Sequence, residues 1–336
     1  MASRILRAGT LTTIGFLPLI FNPFGNPSFE PVKVRFLQVS TLCTAIIALI
    51  ALAIVSIQAR RKIAPMILSR KNGSLKIKYG FHSLIGLYVG INILATLRSV
   101  NPSISFWGSV NQHGTLTVIC LALLYLEITV FIRSKQHLEQ ALQIVMFTTV
   151  PVIIYGFIQY SGLDSLTWAS SSPSPVFSTL GRSNFLGAYL AMTLPFTLAM
   201  IFKPNKKSFW MKGLLLLIMQ IICLCLTLAR AAWLGAVIGA CLFFCLLWLK
   251  MRKYLFLGLV GLPIILGIFI FNANIQYFIL TMSPGNNWDP NIEFQTTREE
   301  SIKMRIPIWK NSLELIQGHV LLGHGPDLYQ MVMLEA

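Results

Sequence analysis

Three arginines are candidates for holding an anion. Arg182 lies in Gly181-Arg182-Ser183-Asn184, directly before a long apolar run. Arg230 lies in Leu228-Ala229-Arg230-Ala231-Ala232-Trp233, inside the otherwise uncharged stretch between Lys212 and Lys250. Arg305 stands in the tail, beside the apolar positions Ile302, Ile306, Trp309, Leu313 and Ile316. A guanidinium is a planar, permanently charged fork that grips a phosphate or carboxylate through paired hydrogen bonds. Next to Arg182, Ser183 or Asn184 is expected to cap a helix whose free backbone N–H groups and positive dipole end would favour an anion. The competing reading is an arginine snorkelling to lipid phosphates. Arg230 would cost at least about 2.5 kcal/mol deep in hydrocarbon, so it is expected at a surface or against an anion. Trp233 beside it fits an interfacial belt, and Ala231 and Ala232 permit close helix approach. Taken alone, Arg305 reads as an ordinary solvated charge.

Other chemistry is sparse. Leu322-Gly323-His324-Gly325-Pro326 is a Gly/Pro turn without the glycine spacing of a dinucleotide fingerprint. His324 is a candidate general base there, set against the reading of a structural turn histidine. His319 and His324 have no third ligand for a metal. His82, His113 and His137 form no cluster, and Cys223, Cys225, Cys241 and Cys245 sit in apolar runs as small packing residues.

The elements that must position these residues follow from composition. Of 336 residues, 55% are hydrophobic and 11% charged, with 27 Lys+Arg against 11 Asp+Glu. Soluble domains carry about 25% charged residues, so an ordinary soluble enzyme and a disordered chain are both excluded. The expected fold class is all-α: a polytopic transmembrane helix bundle. A span needs roughly 20 apolar residues, which predicts nine spans, near 5–22, 38–58, 79–97, 114–132, 141–160, 184–202, 211–229, 231–249 and 254–272. Arg4 and Arg7 before the first span resemble a signal peptide, but no small-residue cleavage site follows, so a retained helix is expected. Two thirds of the bases fall on the side that holds the N-terminus, which makes that side cytoplasmic. Anionic headgroups suffice to explain these bases, and no nucleic acid is expected. Residues 1–272 then form the bundle, and 273–336 begin a large extracytoplasmic loop. In that loop Thr297 and Glu300 make a capping box. Pro307 either kinks the amphipathic helix or starts it, and the helix either lies on the membrane face or docks on the bundle. The segment 162–184, rich in Ser and Pro, reads as a loop.

Four stretches in this order resemble the O-antigen ligase and polymerase family of bacterial membrane glycosyltransferases. They are FLPLIFNPFGNPSFEPVKV, the block from YGFIQYSGLDSLTW to VFSTLGRSNFLGAYLAMTLP, LTLARAAWLG, and RIPIWKNSLELIQGHVLLGHGPDLY. The resemblance implies an inverting, metal-independent transfer, without a cofactor, of a glycan from an undecaprenyl-diphosphate carrier to an acceptor hydroxyl. This takes place in cell-envelope polysaccharide or lipopolysaccharide assembly, outside the bacterial inner membrane. It implies that Arg230, Arg305 and Arg182 bind the diphosphate, although the position of Arg182 often lacks arginine in the family. The family continues with the rest of its outer loop, carrying a His followed by Asn or Ser as the acceptor-activating base, then further spans. This sequence stops at Ala336, so a truncated or split member is expected, with the donor site present and that base missing; His324 is a poor substitute. The alternatives are a transporter, since bicarbonate carriage is a label used within the same family, and an inactive fragment that only binds carrier lipid. Intramembrane ionisable groups, which transport needs, are almost confined to Glu127.

Overall fold

A computed structural model describes residues 2–24, 29–60, 75–166, 176–202, 207–251, 305–316 and 322–335. Among these residues the secondary structure is helical, with no strand. In chain order the helices are α1 (Ala2–Phe16), α2 (Glu30–Arg60), α3 (Leu75–Leu97), α4 (Pro102–Trp107), α5 (Thr115–Phe131) and α6 (Lys135–Tyr160). A 3₁₀ turn at Ser178–Leu180 precedes α7 (Ser183–Ile201), α8 (Lys207–Leu226) and α9 (Arg230–Met251). Then come α10 (305–316) and α11 (Tyr329–Glu335). Among the described residues, four segments are long and apolar enough to cross a membrane: Glu30–Ile54, Lys135–Tyr160, Ser183–Ile201 and Arg230–Leu247. Phe81–Leu97, Thr115–Phe131 and Trp210–Leu226 are apolar but shorter. The expected first span is narrower than its apolar run, because α1 ends two residues before Pro18. The expected span 254–272 and the Thr297–Glu300 box lie outside the described residues.

Contacts divide the chain into two units, one comprising Met1–Leu17, Glu30–Leu138 and Lys303–Ala336 and the other Pro18–Phe29 and Glu139–Ile302. In the first unit, α1, α2 and α5 meet along a seam of threonines. Thr10, Thr13, Thr41 and Thr44 are buried. Each hydroxyl donates to a carbonyl four residues back: Leu6, Gly9, Leu37 and Ser40 respectively. This back-bonding satisfies the hydroxyls within their own helices. Gly9 meets the Thr44 methyl so closely that a side chain there would displace it. Thr10 and Thr44 share their single hydroxyl protons between those carbonyls and the buried Glu127 carboxylate, 3.3 Å from Thr10 Oγ1, tying α5 to both partners. Outward, α2 exposes Val39, Ile46, Leu49, Ile50 and Leu52, large apolar groups suited to lipid rather than water.

In the second unit, α7, α8 and α9 pack with a register that individual contacts define. A Cβ on Gly187 would meet Ala232 at 2.6 Å and Ala229 at 3.0 Å. One on Gly239 would meet Pro195 at 3.4 Å, and the Phe202 ring lies tilted to Phe243 and edge-on to Phe244, centroids 6.0 and 5.9 Å apart. The partners advance together along both chains, so α7 and α9 run parallel. By the same test α8 runs antiparallel to α7: Ile201 faces Gly213, and Thr193 accepts from Gln220 Nε2 at 3.0 Å. Ala229, just before α9, and Ala232, Ala236 and Ala240 along it are buried in one stripe, the small-residue face that lets helix backbones approach closely. Leu186, Leu190, Leu194, Leu224 and Trp233 fill the core around it.

Candidate functional site

The site is built at the end of the second unit where α7 and α9 begin. In the segment that its composition marks as a loop, Val176, Phe177, Ser178 and Thr179 are buried. Residues 167–175 of that segment lie outside the described residues. The burial is possible because Gln159, near the end of α6, meets the backbone it covers. Its Oε1 accepts from the amides of Phe177 at 3.2 Å and Ser178 at 2.6 Å, and its Nε2 donates to Asp164 at 3.3 Å. Tyr155 also donates to Asp164, at 3.0 Å. Ser178 Oγ donates to the Val152 carbonyl at 2.6 Å, and Thr179 Oγ1 to the Pro18 carbonyl at 2.7 Å. Gly181 closes the segment at φ +80° with Phe29 pressed on it; an added Cβ would lie 2.6 Å from Phe29 Cβ.

Arg182, rather than Ser183 or Asn184, is the N-cap of α7. Its carbonyl accepts from the amides of Phe185 and Leu186, both at 3.0 Å, and no side chain caps the first turn because a guanidinium has no acceptor. The helix therefore begins with amide donors and a cation at the same end. Arg182 is exposed, its guanidinium 5.7 Å from the centre of the Phe185 ring.

Arg230 opens α9 and is also exposed. The tight turn before it is fastened by the Leu224 carbonyl, which accepts from Thr227 Oγ1 at 2.7 Å, the Thr227 amide at 3.3 Å and Trp233 Nε1 at 2.7 Å. Leu228 completes the turn at φ +53°. Trp233 is thus not the interfacial residue expected from the sequence. It is 1% exposed, and its indole N–H is consumed inside the core. Of the two small neighbours, Ala232 makes the close approach to α7 while Ala231 stays exposed, and Ala229 takes its place. Carrying the α7–α9 register upward puts Arg230 level with Leu186, about one helical turn or ~6 Å along the axis from Arg182. The fold therefore brings Arg182 and Arg230 to one end of one unit, each on the N-terminal turn of its helix.

Arg305 belongs to the other unit, where it is exposed at the start of α10, with Pro307 in the first described turn. His324 is in the same unit and half-buried, its Nε2 3.2 Å from the Leu315 carbonyl in the last described turn of α10. The turn around it depends on a residue that sequence reasoning missed. Asp327 accepts from the amides of Ser109 at 2.6 Å and His113 at 3.2 Å. Gly325, at φ +110°, lies against Ser99 and Ser105, where a Cβ would come within 2.7 Å and 2.5 Å of their hydroxyls. A cavity of about 380 Å³ lies beside this turn, lined by Tyr88, Asn92, His113 and His324 among others. Among the described residues, no group of three His, Cys, Asp or Glu side chains is placed to hold a metal ion.

No curated protein and no solved structure matched the chain. Residues 214–335, a span that includes Arg230, Arg305 and His324 but not Arg182, match the family model described as O-antigen ligase. That segment also contains LTLARAAWLG and the Trp309 helix, two of the stretches on which the resemblance rested. Over residues 214–335 the chain is therefore similar to the O-antigen ligase family.

Proposed function

We propose that this protein moves a glycan from an undecaprenyl-diphosphate carrier to an acceptor hydroxyl during cell-envelope polysaccharide assembly, at the extracytoplasmic face of the bacterial inner membrane. The family match supports the coarser statement, a membrane role of the glycosyltransferase type in polysaccharide assembly. The observation that carries the finer reading is the pairing of two exposed arginines on the first turns of parallel, close-packed helices. Two guanidiniums and two positive helix ends, at the mouth of an apolar bundle, make a receptor for concentrated negative charge on a lipid stem. As the sugar–oxygen bond to the diphosphate breaks, charge grows on the leaving group, and donors already in place stabilise it without reorganising. The family resemblance further gives Arg305 a diphosphate-binding role and makes His324 the candidate to take the proton from the acceptor hydroxyl.

The test is binding of undecaprenyl diphosphate itself to the full chain in nanodiscs, comparing Arg230→Ala and Arg230→Lys with the parent. Charge-assisted hydrogen bonds are worth about 1.5–3 kcal/mol, so Arg230→Ala should weaken binding roughly 10- to 100-fold. Lysine keeps the charge but loses the fork, and should recover part of the loss. Unaltered binding by Arg230→Ala would remove the diphosphate role.

A further inference from the structure

Helix α10 has two apolar sides, and only one of them is used. At 3.6 residues per turn, Ile306, Leu313, Trp309 and Ile316 share an arc of about 80°. All four are exposed: 61%, 64%, 63% and 51% respectively. Ile308, Ser312 and Leu315 lie on a different side, toward the remainder of the tail. There Ser312 Oγ meets Tyr329 Oη at 2.8 Å, the Leu315 carbonyl meets His324 Nε2 at 3.2 Å, and Ser312 and Leu315 are half-buried. The helix is therefore held by one side while its larger apolar stripe is turned away from that contact.

The residues flanking the stripe identify what covers it. Arg305 stands next to one edge and Lys310 next to the other, each within about 40° of the nearest stripe residue. The acid Glu314 and the neutral Asn311 lie further round the helix, both exposed. A stripe with an indole in it and a cation on each border matches the boundary between acyl chains and phosphates. Apolar groups enter the former while guanidinium and ammonium reach the latter. We infer that α10 lies in the headgroup layer of a membrane leaflet, its Ile306–Trp309–Leu313–Ile316 stripe inserted and Arg305 and Lys310 on lipid phosphates. The inference rests on the membrane reading of the chain and not on glycan transfer, so the two can fail separately. It also places Arg305 at the depth where a lipid-borne diphosphate would sit.

The experiment uses the full chain in phosphatidylethanolamine/phosphatidylglycerol nanodiscs, with an environment-sensitive fluorescent amino acid at Leu313 or, as the opposite-side control, at Asn311. Both positions are exposed, so neither label disturbs the core. Doxyl-labelled phosphatidylcholine should remove at least about half of the emission at 313 while aqueous iodide removes little, with the order reversed at 311. Iodide quenching at 313 would overturn the inference by showing a wet face. Protection at 313 from both quenchers would overturn it too, assigning the stripe to another part of this chain or to a second copy. As a second measurement, the double variant R305E/K310E should lower the doxyl quenching at 313 in phosphatidylglycerol-rich discs; no change would exclude the phosphate contacts.

Discussion

Replacing Trp233 separates the packing and hydrogen-bonding parts of the turn that presents Arg230. The indole is buried to 1% exposure and gives its N–H to the Leu224 carbonyl at 2.7 Å. In Trp233→Phe the ring is largely kept and the donor lost. The carbonyl is not orphaned, since Thr227 still gives it a hydroxyl and an amide. The loss is then one hydrogen bond in an apolar medium plus a small void, about 1–2 kcal/mol. Trp233→Ala removes the ring from the buried cluster of the second unit, and falls in the range for large aromatic truncation in a core, about 3–5 kcal/mol. The assay is reversible denaturant unfolding of the full chain in mixed micelles, read by circular dichroism, with undecaprenyl diphosphate binding measured on the folded fraction. Trp233→Phe should bind nearly as the parent, because the Thr227 contacts still shape the turn. An alanine variant within about 1 kcal/mol of the parent would refute the buried placement of Trp233, for which a lost core ring costs several times more.

The other outcomes test separate parts of the structure. Gly187→Leu should cost at least about 2 kcal/mol and loosen diphosphate binding, because even a Cβ would lie 2.6 Å from Ala232; thermal melting in nanodiscs reads it. Gln220→Leu should be neutral or stabilising within about 1 kcal/mol in the same assay. Among the described residues its buried Oε1 has no partner, and Thr193 keeps a bond to the Leu190 carbonyl at 3.1 Å. Asp327→Ala should free the turn at 322–327, at a cost of about 1–3 kcal/mol for the two backbone donors left behind. Limited proteolysis should then cut faster between Gly323 and Tyr329 while the α7–α9 unit stays intact.

Much of the helical frame could be read from residue types. The apolar runs before and after Arg230 place the ends of α8 and α9 within a few residues, because the only charge between Lys212 and Lys250 has to lie where the chain turns. The spacing of Ile306, Trp309, Leu313 and Ile316 is helical, and that stretch is α10. Other features depended on partners distant in sequence. Nothing near Val176–Leu180 announces that Gln159, some twenty residues earlier, supplies the acceptor that lets the segment be buried. Trp233 has the composition of an interfacial residue, and only the carbonyl of Leu224 across the turn makes its burial affordable. Asp327 bonds amides more than two hundred residues away. Local patterns report periodicity and charge; they carry no record of which distant donor meets which acceptor.

The threonine seam of the first unit bears on how such a chain is made. Thr10, Thr13, Thr41 and Thr44 each have a hydroxyl already engaged by their own helix, so α1 and α2 can leave the translocon singly without exposing an unmet donor to lipid. Glu127 lacks that independence, because Thr10 and Thr44, which bond its carboxylate, are both on other helices. Those helices precede it in synthesis. By the time α5 emerges, the hydroxyls that receive its carboxylate have been delivered, and the order of residues along the chain doubles as a schedule for assembly.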